Sequence, residues 1–449
     1  MESAVFTGGS KLGSASVTSA TPQRSTSGVE GALHRIEERL DQHGLLNDVT
    51  HRELQEINEI LDSLPPAETR QVIGRLSDTT LKTWADEIGS HGVFGTGGLS
   101  ADERTDLFDN LATDLDVTQL ERVYRAFDDS SPRAELAAAV GRTMETDEVT
   151  SVLFERARQL PAGTQRDRLQ RSAEGLKGLQ HAAGMAHFSA DAYLDFSPST
   201  ASGNLEPGIR RLNPDHLPAE LGISRTDLID AASGYYAALY QQGQGAEATY
   251  IVAFRGTESG NDWLTNLGSG VGFRMSQFQK ADLLLAKLVE SVGNDRLEVT
   301  GHSLGGGLSN YVGMKRLVSS TAFNPKGTTW RERLELPDDQ ARAQRYVRNY
   351  QVMGDILTEV QEATDPVIME APGPVSKLPA IRPDGQTGNM LWETLVEGFQ
   401  RVSPFHDASQ HDISGPFDRH GMGYVRRGLD ARIEASESQA LQQLFDSFE

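Results

Sequence analysis

The segment "LEVTGHSLGGG", residues 297–307, decides the fold because it places one serine between two glycines directly after a strand-like apolar run. A sharp turn from a strand into a helix strains its central residue and leaves no room for side chains at the flanking positions. Gly301 and Gly305 leave that room, and residues 308–317 continue with a helix-like pattern. The segment therefore predicts a nucleophile elbow that exposes Ser303 at the N-terminus of a helix, whereas the alternative is an ordinary glycine-rich turn.

Strand-like and helix-like segments alternate on both sides of this elbow. Residues 234–241 and 248–256 have the composition of strands, and residues 276–292 have that of a long helix. After the elbow come the segments 320–327 and 345–355, which include further strands. Strands that alternate with helices predict an α/β fold with a mostly parallel sheet that is covered on both faces.

The chain is long enough for two folded parts. Residues 1–28 hold eleven Ser or Thr and four Gly, which predicts a disordered tail. Residues 29–170 show helical spacing and predict an all-helical domain of unknown role, as in the run Leu54, Ile57, Ile60 and Leu61. We assign residues 171–435 to the α/β domain and residues 436–449 to a C-terminal tail or helix.

The composition excludes several classes of function. With 42 basic and 64 acidic side chains the net charge is −22, which disfavours nucleic acid as a partner. Cysteine is absent, so disulfides and thiolate metal sites are excluded. The sequence has no run of about 18 apolar residues and no apolar N-terminal segment, so we expect neither a transmembrane segment nor a classical signal peptide.

A nucleophilic serine needs a base and an acid, which in this architecture follow it along the chain in the order Ser, Asp or Glu, His. Three histidines follow Ser303, and the histidines up to residue 302 are excluded by this order. His406 and His411 lie in the turn-rich "SPFHDASQHDISG", and His406 is the weakest of the three. Asp355 ends the predicted strand "VRNYQVMGD" and is our choice of acid, the alternative being a surface turn residue.

His420 is our choice of base, with His411 as the alternative. His420 lies at a junction between a loop and a helix, where Met422, Val425 and Leu429 form an apolar stripe. A base that is anchored by such a stripe holds its alignment better than one in a mobile loop.

The oxyanion of the reaction needs hydrogen-bond donors. We expect the backbone N–H of Leu304 to supply one and Thr257, in "YIVAFRGTESGNDW", to supply the second. Arg255 lies in the same segment, and we interpret it as part of a structural ion pair, with Asp262 as a candidate partner.

Four sequence blocks resemble the class 3 lipases, the fungal-lipase-like branch of the α/β-hydrolases. They are "VAFRGT", "TGHSLGGGL", "TAFNP" and "NYQVMGD", and the resemblance covers about residues 175–430. It implies an α/β-hydrolase domain that cleaves ester lipids with no metal or cofactor. It implies that Ser303, Asp355 and His420 form the catalytic triad and that Thr257 and Leu304 form the oxyanion hole. The family often has a His-Ser pair where this chain has His420-Gly421.

The secreted fungal members have signal peptides and disulfides, and this sequence predicts neither. The resemblance is therefore closer to bacterial phospholipase effectors, which implies secretion without a classical signal peptide, or else a cytoplasmic protein. It also implies peripheral contact with a membrane, a lipid substrate, and a secretion chaperone or immunity protein as a partner. The alternatives are a soluble-ester or peptide hydrolase and an inactive binding or scaffold protein, and a wide apolar groove would favour the lipid enzyme.

Overall fold

The computed structural model separates the chain into two compact units. The helical unit comprises residues 1–173 and 438–449, and the sheet unit comprises residues 174–437. The structure describes residues 25–41, 49–89, 98–196, 205, 208–256, 271–327, 334–336, 340–355, 357–358, 371–383 and 420–449. None of the helices in these ranges is both long and apolar enough to cross a membrane.

Short amphipathic helices build the helical unit. Capping boxes fix the starts of several of them, since Thr50 and Glu53, and likewise Ser100 and Glu103, exchange side-chain and backbone hydrogen bonds. The described helices are α1 (Ser25–Asp41), α2 (His51–Asp62), α3 (Pro66–Arg75), α4 (Asp78–Gly89), α5 (Ala101–Asp114), α6 (Val117–Ala126), α7 (Ser130–Thr143), α8 (Thr146–Gln159) and α9 (Thr164–Asp191). The first of them begins at Ser25, within the segment for which the sequence predicts a tail.

The last residues of the chain pack into the helical unit. The buried guanidinium of Arg156 forms an ion pair with Glu121 at 2.6 Å and donates to the Ser447 hydroxyl at 2.9 Å. The ring of Phe448 lies under the same guanidinium and against Tyr124, at a centroid distance of 5.7 Å from the latter. The C-terminal segment therefore contributes to the core of the helical unit.

The sheet unit contains one mixed sheet with the strand order β1-β3-β4-β5-β6-β7-β8, and β2 also pairs with β3. The pairs of β3 with β1, β2 and β4 are antiparallel, and the neighbours from β4 to β8 are parallel. The strands are β1 (Ile209–Arg211), β2 (Ile229–Asp230), β3 (Tyr235–Gln242), β4 (Thr249–Phe254), β5 (Leu297–His302), β6 (Ser319–Phe323), β7 (Val347–Val352) and β8 (Val375–Leu378). The predicted α/β fold with a mostly parallel sheet after a helical region is confirmed.

Helices cover both faces of this sheet. The described helices after α9 are α10 (Arg225–Leu228), α11 (Val271–Val292), α12 (Leu304–Arg316), α13 (Gln340–Tyr346) and α14 (Met422–Asp446). Strand residues such as Leu239 and Val252 share a core with α11 and α12 on one face. Their neighbours Tyr240 and Ala253 share a core with the C-terminal part of α9 and the N-terminal part of α14 on the other face.

The carboxyl ends of the parallel strands meet at one edge of the sheet. Three residues follow β5, β6 and β7 at this edge: Ser303, Asn324 and, after a short turn, Asp355. In open α/β sheets this edge is where ligands bind. The topology thus brings side chains that are far apart in sequence to one place.

Candidate active site

Ser303 has the strained backbone of a nucleophile elbow. Its φ of 58° and ψ of −124° lie where few residues other than glycine are found, and α12 begins at the next residue. A Cβ on Gly301 would overlap the backbone carbonyl of Gly305, and one on Gly305 would overlap the carbonyl oxygen of Phe254. The two glycines are thus required by the close approach of three backbone segments.

Backbone hydrogen bonds hold the elbow in this conformation. The Ser303 N–H donates to the carbonyl of Phe323 at 3.0 Å, and the Ser303 carbonyl accepts from Gly307 at 3.0 Å and from Lys326 at 2.9 Å. Leu304 is the first residue of α12, where backbone N–H groups have no partner within the helix. This helix end therefore favours negative charge next to Ser303.

The second expected oxyanion donor, Thr257, lies outside the described residues. The residue before it, Gly256, is adjacent to the elbow, because a Cβ placed there would lie 3.3 Å from Ser303 Cβ and 2.7 Å from the carbonyl oxygen of His302. The chain that leaves β4 therefore passes directly beside Ser303.

Asp355 and His420, which are 65 residues apart in sequence, form a hydrogen-bonded pair. His420 Nδ1 lies 2.7 Å from Asp355 Oδ1. The other carboxylate oxygen accepts from the backbone N–H of Thr358 at 2.9 Å and from its hydroxyl at 2.8 Å. The Asp355 side chain is fully buried, so these bonds replace the water that an ionised carboxylate requires.

His420 is anchored in the sheet unit by the helix that follows it and by hydrogen bonds to its backbone carbonyl. The stripe that the sequence predicts is present, because Val425 and Leu429 are fully buried in the core between sheet and helix and Met422 packs against it. The backbone carbonyl of His420 accepts hydrogen bonds from His302 Nε2 at 2.5 Å and from Asn324 Nδ2 at 3.2 Å. His420 is thereby tied to the residue that precedes Ser303.

Three of the side chains around this pair are not predicted by the sequence analysis. His302 is excluded there as a base because of its position in the chain, Asn324 occurs in the block "TAFNP" without a role, and Thr358 is not considered. The signal for His302 and Asn324 lies in the sequence blocks themselves, because His302 is the last residue of β5 and Asn324 directly follows β6. Burial, together with the adjacent His420, lowers the pKa of His302 from 6.5 to about 3.

The other candidates are placed as follows. His406 and His411 lie outside the described residues, as does Asp262. Arg255 forms an ion pair with Asp195 at 3.3 Å and stacks over the ring of a tyrosine in β3. Within the described ranges, no group of three or more His, Cys, Asp or Glu side chains is arranged to hold a metal ion.

Comparison with known proteins supports a phospholipase-like or lipase-like family. Residues 184–394 match the Tle-like phospholipase domain, a range that contains Ser303 and Asp355 and ends before His420. The extracellular phospholipase A1 of Serratia liquefaciens is 32% identical over 168 residues, which are 36% of this chain and 51% of the relative. The chain thus spans about half the length of this curated relative. The segment that carries the elbow serine is similar to phospholipases, and this similarity supports hydrolysis of lipid esters.

Proposed function

We propose that the sheet unit hydrolyses acyl esters of phospholipids through Ser303, His420 and Asp355. The observation that carries the proposal is the 2.7 Å contact between His420 Nδ1 and the buried carboxylate of Asp355, together with the contact of His420 with His302, the residue before the elbow serine. A base that is oriented by a buried acid beside a strained serine is the arrangement that activates a hydroxyl nucleophile. The similarity to phospholipases supports lipid esters as the substrate class.

In the proposed reaction His420 Nε2 takes the proton of Ser303 while Oγ attacks the ester carbonyl. Asp355 accepts a hydrogen bond from Nδ1–H, which places the proton on Nδ1 so that Nε2 acts as the base, and which stabilises the imidazolium that forms. The N–H groups of Leu304 and Thr257 stabilise the tetrahedral oxyanion. His420 then protonates the departing lysophospholipid alcohol, and a water molecule that His420 activates releases the fatty acid from Ser303.

The position of the cleaved ester is the finer part of the proposal. The Serratia relative is described as a phospholipase A1, so we propose that the ester at the first glycerol carbon is cleaved. A phospholipid with different acyl chains at its two positions tests this directly, because each regiochemistry releases a different fatty acid.

The test uses the full chain and vesicles of 1-palmitoyl-2-oleoyl phosphatidylcholine, with products identified by mass spectrometry. We expect the wild type to release palmitate and an oleoyl lysolipid, and we expect Ser303→Ala and His420→Ala to release neither. Ser319→Ala is the matched control, because Ser319 is an exposed serine at the opposite end of the neighbouring strand. Release of oleate would contradict only the proposed position of cleavage.

A soluble ester tests the Ser303-dependent reaction separately from the proposed lipid substrate. If the wild type cleaves p-nitrophenyl butyrate in a Ser303-dependent way but cleaves neither phospholipid nor triglyceride, the triad is supported and the lipid substrate is refuted. If Ser303→Ala retains full activity on every substrate, the proposed mechanism is refuted.

A further inference from the structure

The backbone of the proposed base needs restraint, because His420 is followed by Gly421 and α14 begins only at Met422. Glycine allows the peptide plane that it shares with His420 to rotate more freely than any other residue would. Two side chains hold this plane, since His302 Nε2 and Asn324 Nδ2 both donate to the His420 carbonyl oxygen. The restraint comes from the ends of β5 and β6, which belong to the rigid sheet.

The hydrogen bonds of His302 fix one tautomer of its ring. A carbonyl oxygen can only accept, so the proton lies on Nε2, and Nδ1 accepts from the Tyr193 hydroxyl at 2.8 Å. The ring is almost fully buried and lies 4.7 Å from the ring of His420, centroid to centroid. A neutral neighbour at this distance does not repel the imidazolium that His420 becomes during catalysis.

Asn324 is held as firmly as His302. Its side-chain oxygen accepts from the backbone N–H of Val352 at 2.8 Å, and its backbone N–H donates to Tyr350 at 2.8 Å. Its φ of 40° lies in the left-handed region, which asparagine tolerates better than most residues. The amide thus connects the ends of β6 and β7 to the carbonyl of His420.

We propose that His302 and Asn324 are positioning residues that hold the His420–Gly421 peptide so that the imidazole of His420 stays aligned with Ser303. The inference rests on the function proposed above. Neither side chain exchanges a proton with substrate. Their effect is on alignment, and a displacement of about 1 Å can cost about 100-fold in rate.

Two amide substitutions at position 302 test whether the position of the hydrogen-bond donor matters, or only the presence of a polar side chain. The amide nitrogen of glutamine reaches the position of histidine Nε2, whereas that of asparagine reaches only the position of Nδ1. We expect His302→Asn to lower kcat about 10- to 100-fold with KM within about twofold, and His302→Gln to recover most of the lost kcat. Asn324→Asp replaces the donor by an acceptor facing the same carbonyl and should lower kcat at least as much as His302→Asn.

Each variant is measured with p-nitrophenyl butyrate, by the rate at which a fluorophosphonate labels Ser303, and by its thermal unfolding midpoint. The extent of labelling counts the folded sites, so loss of folded protein is separated from slow labelling. Equal kcat for His302→Asn and the wild type would overturn the inference. The inference would also be overturned if His302→Asn and His302→Gln lost kcat equally and this loss matched the decrease in their thermal unfolding midpoints. If Ser303→Ala keeps wild-type activity, the proposed function itself fails, and the inference falls with it.

Discussion

We expect one part of the acid destabilisation of the sheet unit to come from protonation of His302. Its pKa is lowered from 6.5 to about 3 in the folded protein by burial and by the adjacent His420. Between these values the unfolded chain binds one more proton than the folded one, so the stabilisation is complete above pH 6.5 and is lost as the pH falls toward 3. From pH 7.5 to 5.0 this coupling lowers the free energy of unfolding by about 2 kcal/mol.

The measurement compares wild type with His302→Gln, which cannot titrate at this position. Urea unfolding is measured at pH 7.5 and 5.0. Hydrogen exchange of the amides in β5 and β6 is used as the probe, so that the measurement reports on the sheet unit alone. Carboxylates and the other histidines contribute to both proteins and cancel in the double difference. We expect the wild type to lose about 2 kcal/mol more than the variant. Equal losses in the two proteins would refute a neutral, buried His302.

The remaining predictions concern the elbow and the triad. Ser303→Ala should lower kcat about 10⁴-fold or more in the ester assay, and adding His420→Ala should cost little further, because the two residues act as one unit. Asp355→Asn should lower kcat about 10⁴-fold at unchanged unfolding midpoint, since the amide favours the wrong tautomer of the base. The kcat of His411→Ala should stay within about tenfold of that of the wild type in the same assay. An inactive His411→Ala together with an active His420→Ala would instead assign His411 as the base. Gly305→Ala should yield no soluble sheet unit in expression trials, because its Cβ would overlap a carbonyl of β4.

Strong local patterns predict the fold. The elbow fixes a strand, a turn and a helix within twenty residues, and β5 and α12 lie where the pattern places them. The predicted segments 234–241 and 248–256 correspond to β3 and β4 within two residues at each end. These strands are recognisable because burial on both faces makes them nearly continuous apolar runs.

Elements that depend on distant partners were not predicted. β1 and β2 have three and two residues, and they are strands only because β3 pairs with both. The segment 436–449 has no local signal for its place in the helical unit. That place depends on Arg156, almost 300 residues earlier, whose guanidinium bonds Ser447. Pairing and packing over such distances leave no periodicity in the sequence.

Some residues of the candidate site were likewise predictable from the sequence, and others were not. Chain order and strand ends indicate Ser303 and Asp355, and the apolar stripe after His420 indicates the base. The order of residues along the chain excludes His302 as a base, but it does not exclude His302 as a residue that holds the base in place. Chain order cannot distinguish these two roles, and the proposal that His302 has the second role rests on the contact between His302 Nε2 and the His420 carbonyl.

Two residues with strained backbone, Ser303 and Asn324, lie at the sheet edge next to the proposed base. Three non-glycine residues have positive φ in the part of the chain that the structure describes: Leu317, which ends α12, and the edge residues Ser303 and Asn324. Each strained conformation costs of order 1–3 kcal/mol and persists only where the surroundings enforce it. At Ser303 the strain accompanies the turn from β5 into α12. At Asn324 it accompanies a side-chain amide that bonds both the next strand and the His420 carbonyl. Because β5 and β6 are paired in parallel, Ser303 and Asn324, the proposed nucleophile and a proposed positioning residue, lie side by side at one edge of the sheet. In the proposed mechanism, the alignment of Ser303 with His420 therefore depends on the ends of β5 and β6.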